Sequence, residues 1–292
     1  MRGFFSFRWL AYDFLAMPEA ATDYQKIQET LAYIRARTDF VPEAGIILGS
    51  GLGPLADEIE AKAVFSYAEL PHFPLSTAPG HEGKLVLGYL EKKPVVAYKG
   101  RVHYYEGYPA SRVVYPVRTG FFMGARTFFV TSAAGGLNPH WQAGDLMLHL
   151  DYINFAGANP LTGPNDERLG PRFPVMFEAY DKGLIAKAKD VARSQNLGLR
   201  EGVYVWVSGP AFSSRSELRL LRNIGADAIG MSTVPEVIAL RHLGAKVLGL
   251  SAITDMALPD GEHHATEQEV LEVAARTGAT FRKLVRGILP LI

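Results

Sequence analysis

Arg126-Thr127-Phe128-Phe129-Val130-Thr131-Ser132-Ala133-Ala134-Gly135-Gly136-Leu137-Asn138 is an apolar, β-branched and aromatic run that ends abruptly in small residues. The run over 126–131 is too short for a buried helix and reads as a strand, and the small residues after it suit close backbone contact with a ligand or tight sheet packing. Similar short apolar runs, each closed by glycine, serine, proline or asparagine, stand at 45–48, 94–98, 203–207, 228–231 and 247–254. Helical apolar spacing fills 22–37, 110–124, 178–195, 214–224, 234–243 and 266–288. Strands alternating with helices predict an α/β fold: a mixed β-sheet flanked by helices. No linker, repeat or low-complexity stretch divides the chain. One domain over 22–292 is expected, after an N-terminal extension over 1–21 in which Met17 is as good a start as Met1.

The bulk numbers narrow the function. Thirty basic residues balance thirty acidic ones in 292, so no net field favours nucleic acid or an anionic membrane, and an anionic substrate must be held by local geometry. There is no cysteine, which excludes disulfides, thiolate metal sites and a cysteine nucleophile. No apolar run approaches the roughly 20 residues that span a bilayer. A cytoplasmic enzyme is expected.

In open α/β sheets, ligands gather beyond the carboxyl ends of the strands, and here those ends are loaded. Gly49-Ser50-Gly51-Leu52-Gly53-Pro54 fits an anion cradle and a tight structural turn equally well. Pro79-Gly80-His81 and Gly100-Arg101-Val102-His103-Tyr104-Tyr105-Glu106-Gly107-Tyr108-Pro109 put two histidines and an arginine at breakpoints. Arg101 and His103, two apart on extended chain, point the same way, and a guanidinium fork suits phosphate oxygens. In Gly230-Met231-Ser232-Thr233-Val234-Pro235-Glu236, Thr233 and Glu236 predict a capping box, with Ser232 beside the positive helix end. Asp255 closes an apolar strand, where a carboxylate is paired, working, or simply capping the chain. The breaker-rich loop over 156–176 is either functional or a solvated excursion.

Taken in order, Gly49-Ser50-Gly51-Leu52-Gly53, Pro79-Gly80-His81, the 100–109 segment, Ala133-Ala134-Gly135-Gly136-Leu137-Asn138-Pro139 and Gly230-Met231-Ser232-Thr233-Val234-Pro235-Glu236 resemble the trimeric purine nucleoside phosphorylase family, which also includes the methylthioadenosine phosphorylases. The resemblance runs from about residue 25 to the C-terminus. It implies a single-domain phosphorylase fold with a distorted mixed sheet, assembled as a homotrimer that acts on a purine nucleoside and phosphate. It implies a phosphate site of Ser50, His81, Arg101, His103, Ser232 and the backbone at Ala133. Tyr105, Met231 and Glu267 would meet the sugar, and Phe173 would reach a neighbouring subunit's sugar pocket. Phe212, Ser213, Met231 and Asp255 would meet the base. Asp255 and His103 are the candidate catalytic residues, with Asp255 protonated so as to donate at N7. Inorganic phosphate is a co-substrate, and neither metal nor organic cofactor is expected.

Three positions depart from the 6-oxopurine-specific members. Ser213 stands where those carry glutamate, and Asp255 where they carry asparagine. A hydroxyl donates to a bare N1 and a carboxyl accepts from an N6 amine, a pattern that favours adenosine over inosine and guanosine. Glu267 stands where a histidine usually meets the 5′-hydroxyl, with His263 and His264 as nearby substitutes. A 6-oxopurine phosphorylase, a methylthioadenosine phosphorylase and a nucleoside-binding sensor are the alternatives.

Overall fold

The long strand from Thr127 to Gly136 organises the sheet in the computed structural model, which describes residues 21–49, 51–262 and 265–292. Most of the expected N-terminal extension, Ser50, His263 and His264 lie outside the described residues.

The strands in chain order are β1 (Ala44–Leu48), β2 (Glu60–Ser66), β3 (Lys84–Leu90), β4 (Lys93–Lys99), β5 (Thr127–Gly136), β6 (Leu146–Asn154), β7 (Leu199–Trp206), β8 (Ala228–Gly230) and β9 (Lys246–Met256). They pair in the order β2-β3-β4-β1-β5-β8-β7-β6-β9, and β5 also pairs with β9. β5 thereby shares edges with β1, β8 and β9, and the five strands from β5 to β9 close into a ring. Parallel and antiparallel pairs alternate irregularly, which is the distorted mixed sheet the sequence led one to expect.

Bare glycines permit this crowding. A Cβ on Gly49 would lie 2.7 Å from the Ser132 Cα, and one on Gly136 would lie 2.8 Å from the Met256 sulfur. Two glycines of the 49–54 loop thus have packing duties, Gly49 against β5 and Gly51 against Ala274.

Helices cover both faces. On one side α1 (Asp23–Arg35), α4 (Tyr115–Met123) and α7 (Val234–His242) bury Ile27, Leu31, Val117 and Leu240 against β1, β4 and β5. On the other, α5 (Lys182–Ser194) and α8 (Glu267–Ile288) bury Leu184, Ala188, Phe281 and Leu284. α2 (Pro54–Asp57), α3 (Ala110–Val113) and α6 (Arg215–Asn223) complete the α-helices among the described residues. The helix expected over 110–124 is two, because Pro116 lacks the N–H that would carry one helix into the next and instead sits in the first turn of α4.

Strands β2, β3 and β6 were not expected. β2 turns most of its charged side chains to solvent and buries only Phe65, so it lacks a continuous apolar run. β3 is interrupted by Gly88, whose missing Cβ admits the Glu60 carbonyl of β2, and β6 beyond Leu148 intersperses His149, Asp151 and Asn154 among its apolar residues.

Candidate active site

The carboxyl ends of β5, β7, β8 and β9, together with the loop after β4, form an open-mouthed cavity. Arg101, His103, Tyr105, Ala133, Phe212, Ser213, Met231, Ser232 and Asp255, gathered from across the sequence, all line it.

Arg101 is the most heavily engaged of these. Its side chain is buried, with Nε donating to Glu236 Oε1 at 2.6 Å and Nη1 donating to the Thr131 carbonyl at 2.7 Å and to Ser232 Oγ at 3.2 Å. Nη2 is buried with no partner among the described residues. A buried guanidinium N–H left unpaired is costly, so its presence at a pocket wall marks the place where an acceptor belongs.

Glu236 corrects the sequence reading. The capping box expected from Thr233 and Glu236 does not form: Thr233 makes no side-chain cap, and its hydroxyl donates to the Ser232 carbonyl. Glu236 instead turns to Arg101, because a buried cation is a stronger partner than a backbone N–H that the helix end can leave to water. Thr233 itself holds φ at +64°, an unfavourable region for a β-branched residue and one tolerated where the surroundings force it. The signal that marks Glu236 is a lone carboxylate in an otherwise apolar helix start, Val234-Pro235-Glu236-Val237-Ile238.

His103 is set by Glu106. The Glu106 carboxylate accepts from the His103 backbone N–H at 2.6 Å and meets ring Nδ1 at 3.2 Å, and it also takes the Thr77 backbone N–H and hydroxyl, each at 2.6 Å. Burial alone would raise the Glu106 pKa, but the hydrogen bonds from His103 and Thr77 outweigh it and hold the carboxyl at about 2. An ionised Glu106 places the ring proton on Nδ1 and leaves Nε2 as the outward nitrogen.

His81 does not line the cavity. Its Nδ1 accepts the Arg101 backbone N–H at 2.8 Å, and its ring stands edge-on to His103 at 5.1 Å. Burial, then the neighbouring His103 and Arg101, lower its pKa to about 3, so it is a neutral brace. Tyr105 stacks on His103 with ring centroids 4.8 Å apart, its phenol pushed up to about 12 by burial first and then by the charges of Glu106 and Glu267. Glu267, at the first turn of α8, is exposed and stands back from the lining residues; its charge reaches Tyr105.

Asp255 owes its position to an irregularity. The β5–β9 register slips between Ala134 and Gly135, so the consecutive residues Thr254 and Asp255 both face the cavity. The Thr254 hydroxyl donates to Asp255 Oδ1 at 3.2 Å, and Gly135 lacks the Cβ that would press on Oδ2. Phe212 and Ser213 come from the loop between β7 and α6. Val207, Leu218, Ile229, Ala257 and Val270 give the same end of the cavity an apolar wall that the sequence did not single out.

Phe173 lies elsewhere. It is 85% exposed, in a surface depression with Tyr152, Asn159 and Arg172, away from this chain's own cavity. None of the described helices is long and apolar enough to cross a membrane.

Comparison with known proteins agrees with this geometry. The family model described as Phosphorylase superfamily matches residues 43–290. Purine nucleoside phosphorylase 1 of Bacillus subtilis (strain 168) is 47% identical over 264 residues, covering 90% of this chain and 97% of that one. The Bos taurus purine nucleoside phosphorylase is 45% identical over 269 residues, covering 90% and 93%. Among solved structures, Schistosoma mansoni purine nucleoside phosphorylase in complex with adenosine superposes with a TM-score of 0.86 at 37% identity, covering 90% of this chain and 95% of that one. Matching the family model over residues 43–290 and close to half identical to the Bacillus and Bos enzymes over 90% of its length, the chain belongs to the Phosphorylase superfamily, among its purine nucleoside phosphorylases, and is a pentosyltransferase.

Proposed function

We propose that the cavity binds inorganic phosphate at its Arg101 end and a 6-aminopurine nucleoside, adenosine before inosine or methylthioadenosine, at its Asp255 end. The observation that carries this reading is that Ser213 and Asp255 line the same cavity as an unsatisfied buried arginine. Phosphate takes Arg101 Nη2, the Ser232 hydroxyl and the Ala133 backbone, and its own hydroxyl donates to His103 Nε2; Ser50 completes the site, while His81 braces it from behind through the Arg101 backbone N–H. The sugar lies over Tyr105 and Met231, with Glu267 toward its 5′ end and Phe212 over base and sugar.

The reaction follows from that arrangement. A phosphate oxygen bonds to C1′ as the C1′–N9 bond breaks, and the bonding pair leaves with the purine. The sugar passes through an oxocarbenium-like state that the fixed phosphate anion stabilises. A protonated Asp255 spans the purine edge: its hydroxyl gives its proton to N7 as negative charge develops there, its carbonyl oxygen accepts from the N6 amine, and solvent returns to Asp255 a proton equal to the one the hydrogen phosphate releases. Ser213 donates to N1. A 6-oxo group would set O6 against that carbonyl oxygen. The products are free purine and a pentose 1-phosphate, and no metal or organic cofactor enters the scheme.

The Schistosoma mansoni enzyme was solved with adenosine, and a schistosoma purine nucleoside phosphorylase of the same fold was solved with hypoxanthine. The shared fold therefore does not choose the base, and the choice falls to Ser213 and Asp255. The exposed Phe173, with Val175 and Phe177 also exposed beside it, supports a homotrimer in which Phe173 closes a neighbour's sugar pocket. Turnover of adenosine, inosine and methylthioadenosine with and without phosphate tests the reading. Adenosine should lead and depend on phosphate; inosine far ahead would overturn the assignment of Ser213 and Asp255.

A further inference from the structure

Behind the anion end lies a line of buried polar groups that the reaction as described leaves unused. Ser132 lines the cavity between Thr131, whose carbonyl holds Arg101, and Ala133. Its hydroxyl lies 2.7 Å from that of Ser251 on β9. The Ser251 hydroxyl lies 2.7 Å from His149 Nε2 on β6, and His149 Nδ1 lies 3.1 Å from the Tyr180 hydroxyl. Ser132, Ser251, His149 and Tyr180 are all buried, His149 completely. Glycine makes the space: a Cβ on Gly249 of β9 would sit 2.5 Å from the Tyr180 ring and 2.8 Å from His149.

Hydrogen-bond accounting gives this line a direction. Tyr180 has one proton to donate and, among the described residues, His149 Nδ1 is its hydrogen-bond partner. Donating there makes Nδ1 an acceptor and puts the ring proton of a neutral imidazole on Nε2. Nε2–H then donates to Ser251, Ser251 donates to Ser132, and the Ser132 proton is left to point into the cavity. The opposite tautomer reverses every link, strands the Tyr180 proton in an apolar interior and turns Ser132 away from the ligand. Burial, then the charge of Arg101, lower the His149 pKa to about 3, so the ring stays neutral and the direction holds. A second arm starts at the same ring: His149 stacks on Tyr204 at 4.9 Å, and the Tyr204 hydroxyl accepts the Ser232 backbone N–H at 3.4 Å.

We propose that Tyr180 and His149 are positioning residues which, through Ser251, aim the Ser132 hydroxyl as a further donor to the phosphate. The proposal rests on the reading of the Arg101 end as the phosphate site. Bonds in such a line polarise one another, so removing its far end weakens the donor at its near end.

A double-mutant cycle on the KM for phosphate tests this. Ser132→Ala should raise KM about tenfold, as expected for losing a donor to a charged acceptor, and Ser132→Thr should restore it. Tyr180→Phe, which keeps the ring packing, should raise KM for phosphate several-fold with kcat nearly unchanged. In the Ser132→Ala background, Tyr180→Phe should then add nothing, because its effect passes only through Ser132. Ser251→Ala cuts the line in its middle and should behave as Tyr180→Phe does, which provides a second cycle where that variant folds poorly. Effects that simply multiply in the double variants, or an unchanged phosphate KM in Ser132→Ala, would overturn the proposal. Arg101→Ala separates the two readings: if it leaves phosphate KM untouched, the phosphate site is misplaced; if KM rises while the cycles stay multiplicative, only the line from Tyr180 to Ser132 fails.

Discussion

The two ends of the cavity are built differently. At the anion end Arg101, His103 and Ser232 are 3%, 8% and 8% exposed; Arg101 and Ser232 are tied to each other across elements and Arg101 to Glu236, while His103 is held by Glu106 three residues on. At the base end Phe212 is 51% exposed and Ser213 rides on a loop, so that only Asp255 is anchored in a strand. A pre-organised anion site loses little to reorganisation when charge develops, whereas a base site on a loop can be altered without disturbing the sheet. The reaction is thus lodged in the core and the choice of base at its margin.

The comparison breaks if the two ends do not separate by mutation. Arg101→Ala should reduce kcat/KM by about a hundredfold to a thousandfold while leaving the ratio of adenosine to inosine turnover where it was. A change in that ratio would show that the ends are coupled. Glu236→Gln leaves Arg101 facing a neutral partner in a buried site. Breaking such a pair costs about 3–5 kcal/mol, readable as a lower denaturant midpoint, and a midpoint unchanged from wild type would mean that Glu236 does not hold the arginine. Asp255→Asn should shift preference toward inosine by about tenfold or more, since the amide nitrogen carries a second proton that can reach O6 where the carboxyl has one, with phosphate KM unaffected. Unaltered selectivity would remove Asp255 from base recognition.

The smallest effect concerns acid. The Glu106 carboxyl titrates at about 2 in the fold against an ordinary 4.5, so it contributes stability that is fully present above its ordinary value and lost as pH falls toward 2. The stability difference between wild type and Glu106→Gln should therefore be flat above about pH 5 and shrink steadily below it. A difference that persists undiminished near pH 2 would show that the hydrogen bonds to His103 and Thr77 do not depend on the charge.

What the sequence revealed follows the same division. The anion end is legible because its residues sit beside glycines at strand ends, where punctuation and chemistry coincide. Six strands are legible because their faces are buried on both sides and give unbroken apolar runs. β2, β3 and β6 escape because they are half-exposed, crossed by glycine or interspersed with polar residues toward one end. Glu236 escapes as well, since a capping box is a signal within four consecutive residues, while the ion pair that wins spans 135 positions. His149 carries no local signal at all, because its partners lie 31 and 102 residues away. The slip of β9 that turns both Thr254 and Asp255 to the cavity is likewise a property of strand pairing and has no counterpart in periodicity.

The central claim is that an oxyanion sits against the unpaired Arg101 Nη2. Crystals of the protein soaked in phosphate test it most directly. Tetrahedral density within hydrogen-bonding reach of Arg101 Nη2, with the Ser232 and Ser132 hydroxyls beside it, is the predicted result. A cavity without density there, with Arg101 Nη2 satisfied by another protein atom, would contradict the account.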